Sequence, residues 1–164
     1  MNNGGADLQS PPSPAHEARQ RWLSVLAKAS LAELDAAWAA LPEKPQYRTV
    51  RSAERGLVMV RARIGGTGQP FNLGEMTMTR AAVQLLDPDR RPGIIGFGHV
   101  AGRSARQAEL VAMLDALLQD PARHDAIAGS VIEPLAARQA ATRAAQAAKL
   151  MASKVDFFTM VRGE

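Results

Sequence analysis

Residues 57–64 (LVMVRARI) change side-chain character at every step, with Val58, Val60, Ala62 and Ile64 on one side and Met59, Arg61 and Arg63 on the other. A period of two belongs to a β-strand, and branched side chains favour the extended backbone. Apolar residues recur with helical spacing both before and after this central region. The chain is therefore expected to be α+β, an antiparallel β-meander of three to four strands flanked by N-terminal and C-terminal helices.

The rest of the centre fills in that meander. QYRTVRSA (46–53) reads as a strand, Glu54-Arg55-Gly56 as a turn, and GGTGQP (65–70) as a flexible connection. EMTMTRAAVQLL (75–86) starts as a third strand, while its second half fits either strand or helix. PGIIGFG (92–98) suggests a further short strand.

The flanks carry helix signals. Ser13-Pro14 places an N-cap before a first-turn proline, and the helix that follows carries Trp22, Val25, Leu26 and Ala29 on one side. Ser30 and Glu33 form a capping-box pair ahead of Leu34, Trp38 and Leu41, and Pro42 and Pro45 close that helix. Ser104 and Gln107 have the same spacing before the stripe Leu110, Val111, Leu114, Leu117 and Leu118. Asp120-Pro121 opens a short helix that Gly129 ends. From about Glu133 to Lys154 an Ala-rich helix carries too little apolar surface to stand alone, and is expected to lie against another body, such as a second subunit.

A chain of 164 residues with 46% hydrophobic and 22% charged residues holds one ordinary domain, expected over 14–164 after a disordered tail at 1–13. Aromatics make up only 4%, so Ala, Leu, Val and Met must build the core, leaving room for a partner to complete it. The chain has no cysteine, which excludes disulfides, thiolate zinc sites, iron–sulfur ligation and a cysteine nucleophile. His16, His99 and His124 are too far apart for ligand spacing, so no metal is expected. No apolar run reaches the roughly 20 residues of a membrane span, and the N-terminus is not signal-like, so the expected location is cytoplasmic. The net charge of +4 is spread rather than gathered into a stripe, which argues against nucleic acid.

Several motifs have competing readings. Gly96, Gly98 and Gly102 superficially resemble a dinucleotide-binding turn, but no parallel βαβ unit follows, so a tight turn is expected. Gly65, Gly66, Thr67 and Gly68 could offer backbone donors to a phosphate or simply connect two strands; no Lys-Ser/Thr pair makes them a P-loop. Arg61 and Arg63 share a strand face, and Arg80 lies in a neighbouring strand. The three could converge on a triphosphate or an acidic neighbour, or decorate a solvated face. His99 has no acidic or nucleophilic partner at a recognisable spacing. Asp156, Phe157, Phe158, Met160, Val161 and Arg162 form an apolar, charge-framed tail that either closes onto its own domain or docks on another chain.

RQRWLSVLAKAS (19–30), RSAERGLVMVRARIGGTGQPFNLGE (51–75), MTRAAVQL (78–85), Gly102-Arg103 followed by AELVAMLDALLQ (108–119), and SKVDFFTMVRG (153–163) together resemble the PhnG family, from about residue 16 to the end. The resemblance implies a subunit of the carbon–phosphorus lyase core, a hetero-oligomer with two copies of each of four subunits. With an accessory ATP-binding-cassette protein, that system is expected to displace adenine from ATP with an alkylphosphonate, giving α-D-ribose 1-methylphosphonate 5-triphosphate. A partner subunit with an iron–sulfur cluster and S-adenosylmethionine later breaks the carbon–phosphorus bond. The resemblance gives this chain no cofactor and no catalytic residue, and makes scaffolding its expected role. The alternative is a phosphate- or nucleic-acid-binding module acting without the complex.

Overall fold

The computed structural model describes residues 13–87, 89 and 91–152. The proposed tail at 1–13 and the apolar segment Asp156–Arg162 therefore fall outside the described residues, except for Ser13.

Helices α1 (Pro14–Leu26) and α2 (Leu31–Ala40) precede a three-stranded antiparallel sheet of β1 (Tyr47–Arg63), β2 (Pro70–Leu86) and β3 (Pro92–Ala101), in the order β1-β2-β3. Helices α3 (Ala105–Leu118), α4 (Pro121–Ile127) and α5 (Glu133–Ala152) follow. This is the expected α+β meander with helices on both flanks.

Inside the sheet one sequence expectation is corrected and one open alternative is resolved. Residues 46–53 and 57–64 are not two strands separated by a turn: Glu54, Arg55 and Gly56 pair with Arg80, Thr79 and Met78 inside one 17-residue strand. The irregularity the sequence hints at appears as register shifts between Thr49 and Glu54, which absorb extra residues without reversing the chain. Strand β2 is extended throughout, so the second half of 75–86 is strand and not helix.

Glycine explains how a helix comes so close to the sheet. A Cβ on Gly96 would lie 2.0 Å from the Ala112 carbonyl oxygen, and one on Gly98 would lie 1.9 Å from that of Ala108. Gly96 and Gly98 therefore form the seat of α3 on β3 rather than a turn. Gly102, at φ +93°, does make the turn into α3.

Helix α3 lies between the sheet and the other helices. Ala108 and every residue from Leu110 to Leu118 are buried, so the predicted stripe is in fact almost the whole circumference of the helix. Leu26, Leu34, Val83 and Val100 close around it.

The capping box at Ser30 and Glu33 is present in both directions. At Ser104 it is half made: the hydroxyl accepts from the Gln107 N–H, but the Gln107 side chain donates to the Ala29 carbonyl and ties α3 to the α1–α2 turn. Gly129 does not end α4; a π-turn over Ala128–Ile132 carries the chain on into α5. The start of α5 packs on its own chain, where Gln139 donates to the Val25 carbonyl at 2.9 Å. Every residue from 140 to 151 is exposed.

Candidate functional site

Two stretches of the described surface stand out: a groove between α1 and α4, and a two-stranded arm formed by β1 and β2. They differ in whether their polar groups are already satisfied.

The groove, about 580 Å³, is lined by Arg19, Trp22, Gln119 and His124 among others. Three of these residues, Arg19, Trp22 and Gln119, converge on Asp115, whose side chain is fully buried in the last turn of α3. A carboxylate there must collect donors from every direction or be expelled. Arg19 donates through Nε at 3.1 Å and Nη2 at 2.6 Å, and Trp22 through Nε1 at 2.9 Å. The Phe97 backbone N–H donates at 2.9 Å and Gln119 Nε2 at 3.2 Å. Arg19 also stacks over the Phe97 ring at 5.6 Å.

Gln119 additionally donates to the Ile95 carbonyl at 3.0 Å. Phe97 and Ile95 lie on β3, the last strand of the sheet on that side. Asp115 and Gln119 thus satisfy the outer edge of β3 with side chains. His124 is held with Nδ1 2.7 Å from the Leu118 carbonyl and its ring edge-on to Trp22. Arg19, Asp115, Gln119 and His124 are all bonded within the chain, so these groups form a structural joint. Among the described residues no cluster of His, Asp and Glu could hold a metal ion.

The arm lies past the point where the helices stop covering the sheet. At that boundary the Gly102 N–H donates to the Thr77 carbonyl and Thr79 Oγ donates to the Gly102 carbonyl. Beyond it, among the described residues, β1 and β2 pair only with each other, Leu57 with Thr77 through to Arg63 with Pro70. Seven residues of strand reach about 20 Å from the body. Leu57 is 65% exposed, Leu73 65%, and Ile64 at the tip 76%. Apolar side chains standing in water on a projecting element mark a contact surface.

The sequence candidates map onto this arm unevenly. Gly65, Gly66, Thr67 and Gly68 form its tip. Gly65 sits at φ +62°, the Gly68 N–H donates to the Ile64 carbonyl, and a Cβ on Gly68 would lie 2.8 Å from that oxygen. Turn geometry accounts for these glycines without a phosphate. Arg61 and Arg63 are exposed on the same face, with Arg63 Nη1 3.0 Å from the Gly68 carbonyl. Arg80 does not join them. It stands opposite Glu54, seven positions along β1 from Arg61, and donates to that carboxylate at 2.7 Å. The Arg80 guanidinium, with Arg51 beside it, holds the Glu54 carboxyl below its ordinary range. Of the two readings of these arginines, convergence of all three is therefore absent, and Arg80 makes a salt bridge on the sheet face instead. His99 is exposed on β3 opposite Arg80.

The Asp115 cluster leaves a partial signal in the sequence that was missed: one acid inside the apolar run LVAMLDALL, with Arg19 and Trp22 three residues apart on another helix.

The model of the phosphonate metabolism protein PhnG family matches residues 17–163 of this chain. The chain belongs to the PhnG family. A relative from Rhizobium meliloti (strain 1021), the α-D-ribose 1-methylphosphonate 5-triphosphate synthase subunit PhnG, is 46% identical over 146 residues, 89% of this chain and 90% of the relative. The matched span covers the arm and the Asp115 cluster alike, so both lie within the family's common extent.

Proposed function

We propose that this chain is a subunit of α-D-ribose 1-methylphosphonate 5-triphosphate synthase in phosphonate catabolism, and that it serves as a scaffold without supplying the reacting groups. The observation that carries the scaffold reading is the contrast between the two surface regions: the Asp115 cluster under the groove is bonded within the chain, whereas among the described residues the apolar arm is bare.

In the synthase reaction a phosphonate oxygen replaces adenine at ribose C1 of ATP. The C1–N bond breaks, a C1–O bond forms, and adenine leaves with the bond's electron pair and takes up a proton. That step calls for a general acid near the base and donors around the triphosphate. We assign both to other subunits, together with the iron–sulfur cluster and S-adenosylmethionine of the later carbon–phosphorus cleavage. Arg61, Arg63 and the 65–68 tip are better suited to partner contact than to phosphate, because Arg80 is bound elsewhere. Asp156, Phe157, Phe158, Met160, Val161 and Arg162 are a second contact segment in this reading.

The finer assembly we propose is a cytoplasmic hetero-oligomer with two copies of each core subunit, served by an ATP-binding-cassette protein. The test is adenine release from ATP and methylphosphonate. The purified chain alone is expected to release none, a synthase preparation lacking the chain to be impaired, and adding it back to restore activity. Adenine release by the isolated chain would overturn the scaffold role.

A further inference from the structure

The two edges of the sheet are treated differently. On β3, side chains from α3 bond the backbone groups of Ile95 and Phe97. On β1, the first strand of the sheet, no backbone hydrogen bond reaches the outer side of residues 54–63 among the described residues. β1 runs through this stretch without an extra residue; the shift between Val60 and Arg61 arises on β2, where Gly74 pairs with Val60 and Asn72 with Arg61. Long, regular, bulge-free edges are the ones that accept another strand.

Charge states what kind of strand fits. Along β1 the odd positions on one face read Arg55, Leu57, Met59, Arg61 and Arg63, with no acid among them. None of the three arginines forms an ion pair among the described residues. Arg55 donates to the Arg103 carbonyl and Arg63 to the Gly68 carbonyl, contacts that leave their charge uncompensated. Glu75, on the neighbouring strand opposite Met59, also forms no ion pair among the described residues. The even positions, Val58, Val60 and Ala62, are small and apolar.

We propose that residues 55–63 of β1 are completed by an extended segment of another synthase subunit, one carrying Asp or Glu at alternate positions, which adds to the sheet as a fourth strand. This rests on the subunit reading above. A second copy of this chain is a poor occupant, because its own β1 brings the same acid-free face and sets arginine against arginine. Phosphate is a poor occupant as well. The tip's Gly68 N–H is spent on Ile64, and two arginines on a projecting strand lack the enclosing donors of a phosphate site.

The experiment co-expresses the full chain with the other synthase subunits and compares hydrogen exchange of residues 55–63 in the isolated chain and in the assembly. Strong protection of 55–63 on assembly is expected. The variant Arg61→Glu/Arg63→Glu is expected to keep the wild-type melting temperature while losing at least about tenfold in partner recovery. Unchanged exchange of 55–63 in the assembly, or full partner recovery by the variant, would overturn the proposal. So would protection of 55–63 in the isolated chain by ATP alone, which would make the edge a phosphate site. If the unmodified chain fails to assemble at all, the subunit reading falls and this proposal with it. If it assembles with 55–63 unprotected, only this proposal falls.

Discussion

Asp115 shows how much a single buried charge can organise. Its two oxygens gather donors from α1, β3 and α3 itself, so three elements are oriented by one carboxylate. Truncating it leaves the Trp22 and Phe97 N–H groups and the Arg19 guanidinium without their acceptor. Asp115→Ala is expected to cost about 3 kcal/mol in urea unfolding, with α1 the first element to lose protection from hydrogen exchange. A second residue-scale consequence concerns pH. The backbone N–H of Ser30, then its hydroxyl, hold the Glu33 carboxyl below its ordinary value of about 4.5. A depressed carboxylate pKa stabilises the fold above the unfolded-state value, and that contribution disappears as pH falls through the folded-state value. Glu33→Gln should therefore be less stable than wild type at neutral pH, and the gap should close below about pH 4.5 in a pH series of thermal melts. The capping box was legible because it depends on residues three apart. The Asp115 cluster was only half legible: an acid stands in an apolar run, but its partners Trp22 and Arg19 lie 93 and 96 residues away.

At the scale of elements, the meander and its flanking helices followed from the change of period, while the length of β1 did not. Glu54-Arg55-Gly56 has turn composition, yet β2 supplies a partner for each residue and the pairing outweighs local preference. The tight seat of α3 was equally hidden, since a Gly-x-Gly run can serve a turn or a close helix–strand approach and only the fold decides. Gly98→Ala tests that seat. Its new methyl would meet the Ala108 backbone, and a loss of about 2–3 kcal/mol in chemical unfolding is expected. Gly56→Ala has open space within 4 Å and is expected to stay within about 0.5 kcal/mol of wild type. Equal effects of the two substitutions would mean that packing on α3 is not what requires Gly98. The arm was half-visible in sequence: its strands were recognised, but whether a third strand or a helix covered them was a question of tertiary structure.

For the molecule as a whole, the helical side is self-contained and the arm is not. The core closes around α3, the Asp115 cluster beside the groove is internally bonded, and one sheet edge is guarded by side chains. The opposite edge, the apolar arm and the outer half of α5 remain exposed. A scarcity of aromatics left room for a core completed by a partner. Among the described residues the core is built with small residues and glycine seats, and large exposed apolar side chains stand on the projecting arm. That division suits a subunit. The most direct test is to express the tagged full chain together with the other synthase subunits and follow it through affinity capture and gel filtration. Co-elution in one stable assembly larger than any single subunit is expected; elution of the 17.5 kDa chain by itself, with the other subunits assembling fully without it, would rule out a subunit role.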